Sequence, residues 1–139
     1  MTGTSTASNS YLIIGSGRVA RHLSHYFDLL KSSFTSWNRN QSFEDLEKLA
    51  SSASHILLAI SDDAISDFYN LHLKKYDNKT VIHFSGSLNQ SPLIAAHPLM
   101  TFGHDLYDLS FYKRIHFCIT GADSLEDILP EFSNSSSTL

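Results

Sequence analysis

The stretch that most constrains the fold is Tyr11–Ala20, where the apolar run Tyr11-Leu12-Ile13-Ile14 meets Gly15-Ser16-Gly17 and then Arg18-Val19-Ala20. A short apolar run stopped by glycine suits a strand covered on both faces. Ala20, Leu23, Phe27 and Leu30 follow at helical spacing, so the glycines fall at a strand-to-helix turn. The first turn of a helix leaves backbone N–H groups unpaired, and the axial dipole adds partial positive charge there. Glycines lack a Cβ and let an anion approach that backbone closely. The spacing G-x-G-x-x-A is a variant of the dinucleotide-binding fingerprint. Gly15 would make the tight turn, Gly17 admit a pyrophosphate, and Ala20 keep helix and strand close.

The rest of the composition bounds the reading. A chain of 139 residues with 42% hydrophobic and 17% charged residues forms one domain with a real core. Its net charge of −4 argues against a nucleic-acid partner, which needs a basic surface. No apolar run reaches the ~20 residues that span a bilayer, so no membrane partner is expected. Residues 1–10 are polar, with neither a basic nor a greasy region, and read as a flexible leader. Cys118 is alone, which fits a reducing, cytoplasmic setting.

Arg18–Leu30 should form the first helix, with Arg21, His22 and His25 on its wet side as surface residues rather than metal ligands. Ser33–Trp37 has strand composition and turns at Asn38-Arg39-Asn40. Ser42 looks like the N-cap of a short helix, with Asp45 three residues on, burying Phe43, Leu46 and Leu49. His55–Ile60 is a buried strand. Ser61-Asp62-Asp63 then caps a helix carrying Ile65, Phe68, Tyr69 and Leu71. Thr80–Phe84 is a further strand ending in Ser85-Gly86-Ser87, and a loop leads to Leu93–Ala96 and His97-Pro98. Ile115–Thr120 is the last clear strand, Asp123–Leu129 a short helix stopped by Pro130, and 133–139 a polar tail expected to fray. The folded domain is therefore 11–132. Strands alternating with helices indicate an α/β, doubly wound, mostly parallel sheet. Between Trp37 and His55 there is room for a helix but hardly for a strand. Strands 11–14 and 55–60 should then be neighbours, with 33–37 on the other side of the first. That order puts the topological switch point, where ligands bind, beside the glycines.

An NAD site normally carries Asp or Glu about 20 residues beyond the fingerprint. Leu29–Phe43 contains no acid, and Asn38, Arg39 and Asn40 occupy its place. A guanidinium there can grip a 2′-phosphate that a carboxylate would repel, which favours NADP as cofactor. Otherwise Arg39 is an ordinary exposed loop arginine.

With these residues placed, the chain resembles the Rossmann-like NADP-binding domains that precede a helical C-terminal domain of unknown function. That family is related to 6-phosphogluconate dehydrogenase, pyrroline-5-carboxylate reductase and prephenate dehydrogenase. The resemblance spans about Tyr11–Thr120. It rests on residues 13–20, Trp37-Asn38-Arg39, Ala59–Ile65, His83-Phe84-Ser85-Gly86-Ser87-Leu88 and His97-Pro98-Leu99-Met100-Thr101-Phe102. It implies a Rossmann-type fold and an NADP-dependent oxidoreductase, or its cofactor domain, acting on a small carboxylated or amino-acid-like metabolite. It also implies that Gly15, Ser16, Gly17, Arg18 and Val19 line the pyrophosphate and that Asn38 and Arg39 hold the adenosine phosphate. Ser61 and Asp62 would lie near the cofactor's middle, although the family usually has proline at Ser61; Ser85, Gly86 and His97 would lie near the nicotinamide. The family's helical domain closes the site and dimerises, and it is expected to be absent from a sequence that stops at Leu139. The alternative is a non-catalytic NADP-binding sensor or partner module, and a homodimer is possible.

Hydride transfer needs something to manage a proton, and a histidine near neutral pKa suits that task. His97 is the best candidate, held by Pro98 and preceded in sequence by Ser85, as in the His-Pro pair of prephenate dehydrogenases. A structural histidine bonded to backbone is the competing reading. His83, inside a strand, reads as structural, and His104 and His116 carry no assignment. Asp62 and Asp63 read as helix N-terminal residues rather than an acid–base pair. No metal site, P-loop or nucleophile motif is visible.

Overall fold

The computed structural model describes residues 9–86 and 93–138. Seven strands form one sheet: β1 (Tyr11–Ile14), β2 (Thr35–Trp37), β3 (His55–Leu58), β4 (Thr80–His83), β5 (Ile94–Pro98), β6 (Phe117–Thr120) and β7 (Ser136–Thr138). Their spatial order is β2-β1-β3-β4-β5-β6-β7, parallel except where β5 meets β6. This is a Rossmann-like α/β sheet, with β1 flanked by β2 and β3 as the spacing of the strands implied.

Side chains alternate across β1 and send its two halves to two cores. Tyr11 and Ile13 join Leu57, Ile82 and Ala96 under α1 (Arg18–Leu29), which contributes Ala20, Leu23 and Phe27. Leu125 and Ile128 of α5 (Leu125–Ile128) close the same layer. On the opposite face Leu12, Ile14, Ile56, Leu58 and Val81 pack under Leu46 and Ala50 of α2 (Phe43–Ser52) and Ile65 of α3 (Ile65–Phe68). Ser42 caps α2 by accepting the Asp45 N–H at 3.0 Å.

Several expectations need correction. His22 is buried, 1% exposed, rather than on the wet side of α1, because residues 102–107 and α4 (Leu109–Lys113) cover that face. Phe43 remains exposed and stacks on His72, while Leu46 alone of the three expected α2 residues is fully buried. The segment after β3 is not one α-helix: a 3₁₀ turn (Asp62–Ala64) leads into α3 and then a π-turn (Tyr69–Leu73). Each change of repeat rotates the face, so Leu71 points to solvent at 76% exposure. His97 and Pro98 belong to β5 itself. Proline fits because β4 pairs β5 only through Ile94 and Ala95, leaving no donor required on that side at 98. The tail does not wholly fray: Ser136–Thr138 adds a parallel edge strand to β6. Buried Asn134 anchors it, donating to the Tyr112 and Ile115 carbonyls and accepting from the Tyr26 hydroxyl at 2.6 Å. The expected residues Ser87 and Leu88 and most of the leader lie outside the described residues.

Candidate site at the carboxyl edge of the sheet

Because β1 to β5 run parallel, their carboxyl ends share one edge. Gly15–Val19, Asn38–Arg39, Ser61–Asp62, Ser85–Gly86 and His97 all follow or end those strands.

The glycine turn is built tightly. The Gly15 N–H donates to the Trp37 carbonyl at 2.9 Å, and the Ala59 N–H donates to the Ile14 carbonyl at 2.8 Å, so three strands converge on it. Gly15 has φ of +133°, and a Cβ there would lie 2.1 Å from the Ala59 carbonyl oxygen. Its Cβ position is also 3.5 Å from the Ala20 Cβ, the close helix–strand approach that a small residue at 20 permits.

Gly17 is different. It is the N-cap of α1 with ordinary extended geometry, and nothing lies within 4 Å of where its Cβ would be. No side chain caps the helix, and its first turn holds no acid. The Arg21 N–H makes the first intrahelical bond, to the Gly17 carbonyl at 3.0 Å. The amides ahead of it therefore lie at the exposed, positive end of a 12-residue helix, with Arg18 beside them. Those features fit a diphosphate.

The turn after β2 is held by its own side chains. The Asn38 Oδ1 accepts the Asn40 N–H at 2.9 Å, and the Asn38 N–H donates to the Gln41 Oε1 at 3.0 Å. Asn38 thus shapes the loop that presents Arg39. The Arg39 guanidinium is exposed and makes no hydrogen bond or ion pair with the described residues. Ser61 caps the 3₁₀ turn through its carbonyl, which accepts the Ala64 N–H at 3.0 Å, and leaves its hydroxyl out of the cap. Asp62 and Asp63 are exposed in that first turn, where negative charge is favoured.

At the far end of the edge, Phe84, Ser85 and Gly86 meet His97. The His97 Nδ1 lies 3.4 Å from the Phe84 carbonyl oxygen, which can only accept, so Nδ1 carries the proton and Nε2 the lone pair. A Cβ on Gly86 would stand 2.7–2.9 Å from the imidazole atoms Nε2, Cε1 and Cδ2. His83 is wholly buried, and its Nδ1 accepts the Ser85 N–H at 3.1 Å. Burial pushes the His83 pKa below the ordinary histidine range, against the opposing pull of Asp62. Its Nε2 finds no hydrogen-bond partner among the described residues. An unmatched buried donor costs about 1–3 kcal/mol.

A second connection, between α1 and residues 103–112, was missed in reading the sequence. The His22 Nε2–H donates to the Gly103 carbonyl and its Nδ1 accepts from the Tyr112 hydroxyl, each at 2.8 Å. Arg21 donates to the His104 carbonyl and His25 to the Tyr107 carbonyl, each at 3.1 Å. The tyrosines at 107 and 112 were the available signal, being aromatic residues with a polar tip in a loop that must fold back.

Among the described residues, no three His, Cys, Asp or Glu side chains gather as a metal-binding group, and no helix is long and apolar enough to cross a membrane.

No protein-family model matches the chain, and no curated protein matches it at a significant level. Solved structures share its fold. Prephenate dehydrogenase from A. aeolicus, in complex with hydroxyphenyl propionate and NAD+, superposes with a TM-score of 0.69 at 11% identity, covering 98% of this chain and 61% of that one. An imine reductase from Streptomyces aurantiacus gives 0.66 at 13% identity, covering 94% and 55%. An imine reductase from Myxococcus stipitatus in complex with NADP+ gives 0.63 at 16% identity, covering 94% and 54%. The class the fold defines is thus the Rossmann-like α/β domain. The chain spans a little over half the length of these structures.

Proposed function

We propose that this domain binds a nicotinamide dinucleotide, NADP(H) in preference to NAD(H), and serves an oxidoreductase acting on a small carboxylated or amino-acid-like metabolite. The observation that carries the reading is the open, uncapped amino end of α1 behind a Gly15 turn that only glycine can make. The fold neighbours named as complexes with NADP+ and NAD+ support a nicotinamide cofactor. The names imine reductase and prephenate dehydrogenase support an oxidoreductase.

When bound, the cofactor supplies the hydride chemistry. The chain's own residues would do the rest. The backbone of Gly15, Ser16, Gly17, Arg18 and Val19 would hold the diphosphate through N–H groups and the helix dipole. Arg39, presented by the Asn38 turn, would pair with a 2′-phosphate through charge-assisted bonds, and no acid between Leu29 and Phe43 repels it. Ser61 and Asp62 would border the middle of the crevice. His97, with its proton on Nδ1 directed at the Phe84 carbonyl, would offer Nε2 to the proton of a substrate alcohol or amine. Ser85 and Gly86 would border that end.

Titration with NADPH and NADH, followed by reduced-nicotinamide fluorescence, tests the reading. NADPH should bind about tenfold or more tightly than NADH, and Arg39→Ala should remove most of that difference. Failure to bind either nucleotide at millimolar concentration would refute it.

A further inference from the structure

The structure assigns to His83 a positioning role: its imidazole anchors the Phe84–Gly86 turn that seats His97. The importance of that seat rests on reading His97 as the proton carrier.

The chain of contacts is short. The His83 Nδ1 accepts the Ser85 N–H at 3.1 Å, bending the backbone directly after β4. The two residues flanking Ser85 then form the seat. The Phe84 carbonyl faces the His97 Nδ1 at 3.4 Å, and Gly86 leaves room for the Nε2 edge of the ring. Shifting Ser85 therefore moves both the acceptor that selects the His97 tautomer and the backbone beneath its lone pair.

Packing alone does not explain the imidazole at 83. The side chain is 0% exposed on a face shared with Val81, Leu58 and Ile65, where an aliphatic residue would serve. Its Nε2–H is unmatched among the described residues, and the Ser85 N–H is the one described hydrogen-bond partner of the ring. Burial holds the ring neutral, so Nδ1 keeps the lone pair that the Ser85 amide requires.

The test compares His83→Asn, whose side-chain oxygen replaces the Nδ1 acceptor, with His83→Leu, which has none. The readouts, taken on the full chain without nucleotide, are Ser85 amide exchange and the 15N shifts of the His97 ring. The asparagine variant should keep wild-type protection and the Nδ1–H tautomer. The leucine variant should exchange Ser85 at least about tenfold faster and show mixed His97 tautomers. A folded leucine variant with unchanged Ser85 exchange and unchanged His97 shifts would overturn the assignment. Should that variant not fold, His83→Gln, too long to reach the same amide, takes its place. Loss in Gln with retention in Asn supports the role, and identical behaviour of the two overturns it. Because no nucleotide is present, this outcome is independent of the NADPH titration.

Discussion

Position 15 tolerates no side chain, since its φ of +133° suits glycine and a Cβ would sit 2.1 Å from the Ala59 carbonyl oxygen. That oxygen belongs to the backbone and cannot swing aside. Gly15→Ala should therefore cost about 2–4 kcal/mol, read as a fall in the urea midpoint at constant slope. Gly17 offers the opposite case. Its backbone is already extended and its surroundings open, so Gly17→Ala should leave the midpoint within about 0.5 kcal/mol of wild type. The same methyl stands where a diphosphate would approach and should weaken NADPH binding. A large stability loss at 17, or a negligible one at 15, would contradict these assignments.

The elements differ in what holds them, and Asn134 shows how far a single side chain can reach. It satisfies one carbonyl in α4, one just after it and the Tyr26 hydroxyl of α1, whose pKa burial pushes up to about 12, so the hydroxyl remains a donor. Asn134→Ala leaves the Tyr26 hydroxyl and the Ile115 carbonyl without this partner, while the Tyr112 carbonyl keeps the Ile115 N–H, and it should cost about 2–4 kcal/mol in a urea titration. A loss below about 1 kcal/mol would show that the tail is held by something else. This network also marks the limit of what could be read in the sequence. The Tyr11–Ala20 strand–turn–helix, the Ser42 cap and the β2-β1-β3 order were legible because each rests on local periodicity or on a spacing of a few residues. The burial of His22, the β7 pairing and the Asn134 bonds were not. They join residues 19 to 108 positions apart or depend on a polar segment finding a vacant sheet edge. At the candidate site, Gly15, Gly17 and His97 stood out as residue types with a known use. The part played by His83 was hidden, because a bond from a side chain to a backbone two residues on leaves no mark in hydrophobic pattern.

Over the whole molecule, buried His83 and half-buried His55 tie stability to acidity. Burial lowers the pKa of His83 and of His55, against the weaker opposing pulls of Asp62 and Glu131. The folded chain therefore keeps both neutral at a pH where the unfolded chain, with ordinary histidines near pH 6.5, takes up protons. Stability from this source is complete above that pH and is lost as the pH falls toward the depressed folded values. The guanidinium midpoint should hold steady from pH 8 to about 7 and decline below about 6.5, by no more than about 2.7 kcal/mol per pH unit for two protons. A midpoint unchanged between pH 7 and pH 5 would rule this out. The fastening of residues 103–107 to α1 by Arg21, His22 and His25 has a mechanical result. The helix that begins at the glycines cannot roll without dragging the polypeptide that runs on from His97. A push delivered at one lip of the crevice is thereby felt, through a stiff lever, at the other.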